Sequence, residues 1–183
     1  LRLLEELVSS LLSLSSLNMM DRPARNELVD LEALGTQVAE DGAFEAASAG
    51  KRVEAQLASG TWIRGDEALL HSALENVVRN ALRYAPEGTA VELRLWKETS
   101  GARPVRLAVR DQGPGVPEGD LGLIFRPFVR SEEARERTGG GAGLGLAIAA
   151  RAVKLHRGTI RAENAPGGGL RVEMAFPAAP PRG

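Results

Sequence analysis

Hydrophobic side chains recur along this chain at two spacings, one typical of helices and one typical of strands. The longest regular helical pattern covers residues 67–84, where apolar side chains form a continuous stripe. Asp66 precedes it at the position of a helix N-cap, and Pro86 and Gly88 follow its end. The pattern therefore predicts a helix with one face in the core.

Two further stretches have helical patterns. Residues 31–49 carry apolar positions at Leu34, Val38 and Phe44, and residues 143–156 follow a glycine-rich run. We predict a helix in each of them.

Extended patterns fill the rest of the chain from residue 27 onward. The predicted strands cover residues 27–31 (a strand or an extended lead-in), 53–57, 62–64, 90–97, 105–111, 159–163 and 170–176. Residues 62–64 are expected to continue the sheet that residues 53–57 begin. The predicted fold class is α+β, a two-layer sandwich of a mixed, mostly antiparallel sheet with three helices on one face.

Leucines in residues 1–20 recur at spacings of three and four, which predicts an amphipathic helix ending at Asp21-Arg22-Pro23. Because no compact partner helix follows, we expect this helix to pair with another chain or with a segment outside this sequence. Leu1 stands in the middle of the pattern, so we expect the sequence to be a piece of a longer protein.

Composition excludes several kinds of chemistry. The 183 residues contain no cysteine and two histidines, and the net charge is −1. Disulfides and thiol catalysis are therefore excluded, and two histidines are too few soft ligands for a zinc site. A charge this close to zero gives no support to nucleic acid as a partner.

One face of the helix predicted at residues 67–84 is polar. Asn76, Asn80, Arg83 and Tyr84 fall at i, i+4, i+7 and i+8, which places them together beside the apolar stripe. Amide oxygens suit Mg²⁺ bound together with substrate phosphates, and an arginine suits phosphate itself. Taken alone, a solvated polar edge explains the same residues equally well.

Two glycine-containing motifs add to this picture. Asp111 ends a predicted strand before Gly113 and Gly115, so its carboxylate can accept a hydrogen bond from an exocyclic amine while the glycines let a flat base approach. A plain Asp-Gly turn is the simpler alternative.

The second motif is the G-x-G-x-G run at Gly141, Gly143 and Gly145, which precedes a predicted helix and can hold phosphate oxygens on its amides. It is neither G-x-G-x-x-G nor a G-K-[ST] loop, which argues against Rossmann and Walker sites. A flexible linker does not fit, because Leu144 and Leu146 resume an apolar pattern.

Taken in order, these motifs resemble the N, G1, F and G2 boxes of the ATP-binding domain of bacterial sensor histidine kinases, which belong to the Bergerat-fold (GHKL) superfamily. The resemblance covers about residues 28–176, with arginine at position 83 where lysine is usual. The matching segments are residues 76–84, 111–115, 124–130 and 141–146.

The resemblance implies a site for ATP and Mg²⁺ in which Asn80 ligates the metal and Asp111 contacts the adenine amino group. The expected ATP-binding residues are Asn76, Asn80, Arg83, Tyr84, Asp111, Gly113, Gly115, Arg126, Arg130, Gly141, Gly143, Leu144, Gly145 and Leu146.

The resemblance also implies that residues 116–142 form an ATP lid. Arg126 and Arg130 are expected to reach phosphate from it, although solvated charges are the commoner outcome in lids. Phe125 and Phe128 are expected to pack the lid onto the domain.

By the same resemblance, residues 1–22 are a remnant of the second helix of a dimerisation and phosphoacceptor hairpin, residues 23–178 are the catalytic domain, and residues 179–183 are a disordered tail. The phosphoacceptor histidine is absent, since neither His71 nor His156 fits that role. The implied enzyme is therefore a protein histidine kinase fragment that does not phosphorylate itself.

The partners implied are the hairpin of the parent chain, a response regulator and, through residues 1–20, a second copy in a homodimer. The implied location is the cytoplasm, with a parent anchored in the inner membrane.

Three alternatives belong to other functional classes. A GHKL ATPase needs a glutamate one helical turn before the metal asparagine, but that position is Asn76, and Glu75 lies about 100° around the helix. An anti-sigma-factor-type serine kinase shares the pocket, but it lacks the leucine-patterned helix of residues 1–20. A non-catalytic docking domain would not need the intact asparagine, aspartate and glycine positions.

Overall fold

The computed structural model describes residues 25–129 and 143–179. The predicted helix at residues 1–20 lies outside them. The elements in chain order are β1 (Glu27–Asp30), α1 (Leu31–Ser48), β2 (Arg52–Leu57), β3 (Trp62–Gly65), α2 (Glu67–Tyr84), β4 (Ala90–Lys97), β5 (Val105–Arg110), a single 3₁₀ turn (Glu118–Asp120), α3 (Gly145–Leu155), β6 (Thr159–Asn164) and β7 (Leu170–Phe176).

The main sheet has five strands in the order β2-β4-β5-β7-β6. β2 and β4 are parallel, and the three other pairs are antiparallel. The predicted α+β sandwich with a mixed, mostly antiparallel sheet is confirmed.

The strand at residues 62–64 was correctly predicted, but the prediction that it continues the sheet of β2 is wrong. β3 instead pairs antiparallel with β1 in a separate two-stranded sheet, with Val29 opposite Ile63. Gly60, at φ 61°, turns the chain away after β2. Because alternation identifies a strand without identifying its neighbour, the sequence pattern could not reveal this pairing.

The core lies between the main sheet and the helices. In β4, Val91, Leu93 and Leu95 are buried while the residues between them are more exposed, which is the period of a strand with one covered face. α2 packs against both α1 and α3. Its buried positions are Leu70, Ala73, Leu74, Val77, Val78, Ala81 and Leu82, which is the stripe that the sequence predicted.

Phe44, the third apolar position in the pattern of α1, does not lie on its buried face, because the residue is 87% exposed. The buried face of α1 continues from Val38 through Gly42 and Ala46 at intervals of four. A Cβ added to Gly42 would lie 3.1 Å from a methyl group of Val78, so the small residue allows α1 to approach α2 closely. The buried face of α1 therefore follows the helical period, which places the small residues Gly42 and Ala46 against the core and the large Phe44 in solvent.

The other face of the main sheet carries an ion-pair network. The buried Glu173 carboxylate accepts hydrogen bonds from Arg106, Arg161 and Arg171 at 3.2, 2.8 and 2.7 Å. The Arg171 guanidinium lies 5.6 Å from the centre of the Trp96 ring. A concavity of about 700 Å³ opens on this face, and no residue of the predicted nucleotide site lines it.

Candidate functional site

The polar face of α2 forms one wall of the site. Asp66 caps this helix, since its Oδ1 accepts a hydrogen bond from Leu69 N–H at 3.2 Å. Asn76 is half-buried, and its Nδ2 donates to the Ser72 carbonyl at 2.8 Å. A Cβ added to Gly145 would lie 2.9 Å from Asn76 Oδ1. The structure therefore brings the asparagine helix and the glycine-rich start of α3 into contact.

Asn80 lies one turn further along α2. Its side chain is half-buried, and within the described part of the chain no hydrogen bond engages its amide. Arg83 is exposed. Tyr84 is half-buried, and its carbonyl oxygen would lie 2.6 Å from a Cβ added to Gly113. The end of α2 thus touches the segment that follows Asp111.

Asp111 is 2% exposed at the end of β5. Its Oδ1 accepts hydrogen bonds from Gly113 N–H at 2.8 Å and from Leu170 N–H at 3.1 Å. Burial raises the pKa of the Asp111 carboxyl above its ordinary value, while these two amide donors and the neighbouring Arg110 oppose the rise. Both bonds use Oδ1, and none of the hydrogen bonds among the described residues uses Oδ2.

Gly169 is a structural contributor that the sequence prediction did not include. It adopts φ 91° in the turn between β6 and β7, and a Cβ there would overlap the Asp111 carbonyl group. The Asp111 N–H also donates to the Leu170 carbonyl at 3.0 Å. The available signal was the run of three glycines at residues 167–169, between the strands predicted at residues 159–163 and 170–176.

The segment after Gly115 packs partly against the domain. Val116, Leu121, Ile124 and Phe125 are partly buried against the core, so the prediction for Phe125 is confirmed. The prediction for Phe128 is wrong, since this residue is 65% exposed with φ 64°. The backbone of Phe128, and not its side chain, contacts the domain: the Phe128 N–H donates to the Gly143 carbonyl at 3.0 Å.

The described residues begin again at Gly143, which has φ 70° and approaches the Val129 carbonyl. Leu144 occupies the N-cap position of α3, and its side chain has no atom that could accept a hydrogen bond. The amides in the first turn of α3 are therefore not bonded to an N-cap side chain. The Leu144 and Leu146 side chains are buried, which leaves only their backbones to face a ligand.

Among the predicted site residues, Arg126 is exposed. Arg130 and Gly141 lie outside the described residues.

A metal ion at this site would need ligands from the nucleotide. Residues 25–129 and 143–179 contain no group of three or more histidine, aspartate or glutamate side chains placed to hold a metal. Among residues 25–129 and 143–179, no group donates to the Asn80 amide oxygen, which fits a cation bound mainly by phosphate oxygens and water.

Residues 65–180 match the model of the histidine kinase-, DNA gyrase B-, and HSP90-like ATPase family, and the chain belongs to this family. Within it, the sequence is similar to sensor histidine kinases. It is 40% identical to the sensor histidine kinase CpxA of Escherichia coli strain K12, over 95% of this chain and 37% of that protein. It is 34% identical to the sensor-like histidine kinase SenX3 of Mycobacterium tuberculosis, over 96% of this chain and 42% of that protein. The chain therefore spans about two fifths of these relatives.

Solved structures agree with the sequence comparison. The mycobacterial sensor histidine kinase MprB superimposes with a TM-score of 0.72 at 28% identity, over 85% of this chain and 99% of that one. Full-length ShkA in complex with AMPPNP gives 0.79 at 29% identity, over 95% of this chain and 36% of that one. The expected resemblance to histidine kinase catalytic domains is confirmed, and the three alternative classes are not favoured. In the described part of the chain, no helix is long and apolar enough to cross a membrane.

Proposed function

We propose that this chain binds Mg-ATP and presents the γ-phosphate to a histidine carried by a separate helical hairpin. The observation that carries the proposal is the meeting of three motifs. Gly113 lies against the Tyr84 carbonyl, and Gly145 lies against the Asn76 amide. Asp111 is therefore held at one end of the polar face of α2, and the first turn of α3 lies beside Asn76.

Each motif has a proposed role at this site. Asp111 accepts a hydrogen bond from the adenine amine, and Gly113 and Gly115 allow the base to approach the backbone. Asn80 supplies an oxygen to Mg²⁺. The phosphates are held by the backbone amides at residues 143–146 and by arginine side chains. The proposed contacts are those of Asn76, Asn80, Arg83, Tyr84, Asp111, Gly113, Gly115, Arg126, Arg130, Gly141, Gly143, Leu144, Gly145 and Leu146.

The chain itself supplies binding and orientation. Asn76 occupies the position one turn before Asn80, and an amide cannot take a proton from water at neutral pH. Its Nδ2 is already bonded to the Ser72 carbonyl. Mg²⁺, when bound, neutralises charge on the phosphates, and the remaining contribution is positioning. The nucleophile must therefore come from outside the described residues.

The same reasoning defines the rest of the proposed assembly. Residues 1–22 are the end of the hairpin that carries the phosphoacceptor histidine, and residues 1–20 support a homodimer. Residues 23–178 form the catalytic domain with its lid at 116–142. The predicted tail at residues 179–183 lies outside the described residues except for Ala179, whose N–H donates to the Trp62 carbonyl at 3.0 Å. A response regulator then receives the phosphate. Similarity to sensor kinases supports a membrane-anchored parent with this part in the cytoplasm.

A phosphotransfer assay tests this function. The chain is mixed with γ-labelled ATP, Mg²⁺ and the histidine-bearing hairpin of the parent as a separate polypeptide. We expect label on the hairpin as an acid-labile phosphohistidine, and none when that histidine is replaced by glutamine. Steady phosphate release by the chain alone would instead identify an ATPase. Binding without transfer or release would leave a docking domain.

A further inference from the structure

Asn164, the last residue of β6, contacts the segment that follows Asp111. Its Nδ2 donates to the Val116 carbonyl at 2.7 Å, and its Oδ1 accepts from Val116 N–H at 2.9 Å. The carboxamide therefore pairs with both backbone groups of one residue, as a neighbouring strand would. None of the motifs in the sequence includes this residue.

Gly115, the residue before Val116, lies close to the Asn164 amide. It has φ 77°, a left-handed conformation that favours glycine. A Cβ added there would lie 2.6 Å from Asn164 Oδ1. The backbone angle therefore favours glycine at this position, and a side chain there would displace the Asn164 amide from Val116.

The hairpin of β6 and β7 holds the segment at both ends. Asn164 and Leu170 are opposite each other in the ladder between these strands. Leu170 N–H donates to Asp111 Oδ1 at 3.1 Å, while Asn164 binds Val116 five residues later. One pair of facing residues thus fixes the start and the end of the segment 111–116.

We propose that Asn164 is a positioning residue for the nucleotide base, acting through the backbone of residues 113–116. This inference rests on the proposed function, in which that segment forms the adenine side of the site. Asn164 makes no contact with the nucleotide itself. It fixes the backbone of residues 113–116, against which the base lies in the proposed function.

The chemistry of the contact distinguishes asparagine from its isostere. An aspartate at position 164 can accept from Val116 N–H, but it cannot donate to the Val116 carbonyl and would place a second oxygen against it. Alanine removes both bonds. Because Asn164 is exposed, each lost bond changes global stability little, and the effect is expected to be local.

The test compares Asn164→Ala and Asn164→Asp with Glu163→Ala. Glu163 is the preceding residue of β6, half-exposed at 50%, and it pairs with Arg171 instead of with the segment. Calorimetric dissociation constants are measured for ATP, ADP and adenosine well below the unfolding temperature. We expect both Asn164 variants to bind roughly tenfold more weakly, by the same factor for all three ligands, and Glu163→Ala to bind normally.

Hydrogen exchange on the same proteins gives an independent readout, with faster exchange expected at the Val116 amide in the Asn164 variants alone. A loss confined to ATP would place the effect at the phosphates and overturn the proposal. Unchanged binding by folded Asn164 variants would overturn it as well. If the unaltered chain bound none of the three ligands, the proposed function would fail together with this inference.

Discussion

At the scale of single residues, Asp111 combines a proposed role in adenine binding with a cost in folding stability. Its raised pKa means that the folded state holds a proton more readily than the unfolded state does. The ionised carboxylate therefore destabilises the fold, and stability falls as pH rises from the ordinary aspartate range through the raised pKa. A buried charge kept at such a cost is typical of a ligand site.

The first prediction concerns Asp111→Asn. The amide oxygen can still accept from Gly113 and Leu170, so we expect a melting temperature at neutral pH equal to or above that of the unaltered chain. The NH₂ group replaces Oδ2, so ATP affinity should fall by about 10- to 100-fold. Thermal unfolding across the acidic to neutral range and calorimetry check both. A clearly lower melting temperature at neutral pH would contradict the account of the carboxylate.

The second prediction concerns Gly145→Ala. The added Cβ would lie 2.9 Å from Asn76 Oδ1, the end of a side chain that can rotate away. We therefore expect the free energy of unfolding to change by less than about 0.5 kcal/mol and ATP affinity to fall about three- to tenfold.

A double-mutant cycle with Asn76→Ala provides the control for this prediction. If Gly145→Ala acts by displacing Asn76, the two losses in affinity should not add. Full additivity would show that the glycine acts in another way, such as through its own backbone amide.

At the scale of elements, the hairpin turn between β6 and β7 offers a matched pair of glycines. Gly167 and Gly169 have φ of 86° and 91°, but a Cβ would meet nothing within 4 Å at Gly167 and would overlap the Asp111 backbone at Gly169. Gly167→Ala should cost about 1–2 kcal/mol from backbone strain. Gly169→Ala should cost about 3 kcal/mol or more and weaken ATP binding.

Denaturant unfolding and calorimetry of the two variants separate strain from contact. Equal losses of stability in both would mean that the turn does not press on Asp111. Normal ATP binding by a folded Gly169→Ala protein would mean that this contact does not position the carboxylate.

The elements that sequence predicted best are those determined by local signals. Glu67–Tyr84 matches the prediction at both ends because Asp66 caps it and its stripe is continuous. Leu170–Phe176 also matches at both ends, since its alternation stops at a glycine run and a proline. Contacts distant in sequence were missed, including the pairing of β3 with β1 and the contacts of Asn164 and Gly169. The spacing of hydrophobic residues within a strand does not indicate which other element packs beside the end of that strand.

At the scale of the whole molecule, one sheet separates two chemical environments. The helix-covered face carries the nucleotide motifs, and the opposite face carries the ion pairs around Glu173. Asn76, one turn before Asn80, carries an amide that cannot take a proton from water at neutral pH, and in the proposed function the domain therefore holds and orients ATP without hydrolysing it. This arrangement suits a catalytic domain whose nucleophile is supplied by another segment.

Calorimetric titration of ATP with and without Mg²⁺ tests this account most directly. It is made on the unaltered chain, on Asn80→Ala, and on Arg79→Ala as a control, since Arg79 is exposed and pairs with Glu75 on α2. We predict that Mg²⁺ strengthens ATP binding in the unaltered and Arg79→Ala proteins and has little effect in Asn80→Ala. Equal strengthening by Mg²⁺ in Asn80→Ala, or no ATP binding by the unaltered chain, would contradict the account.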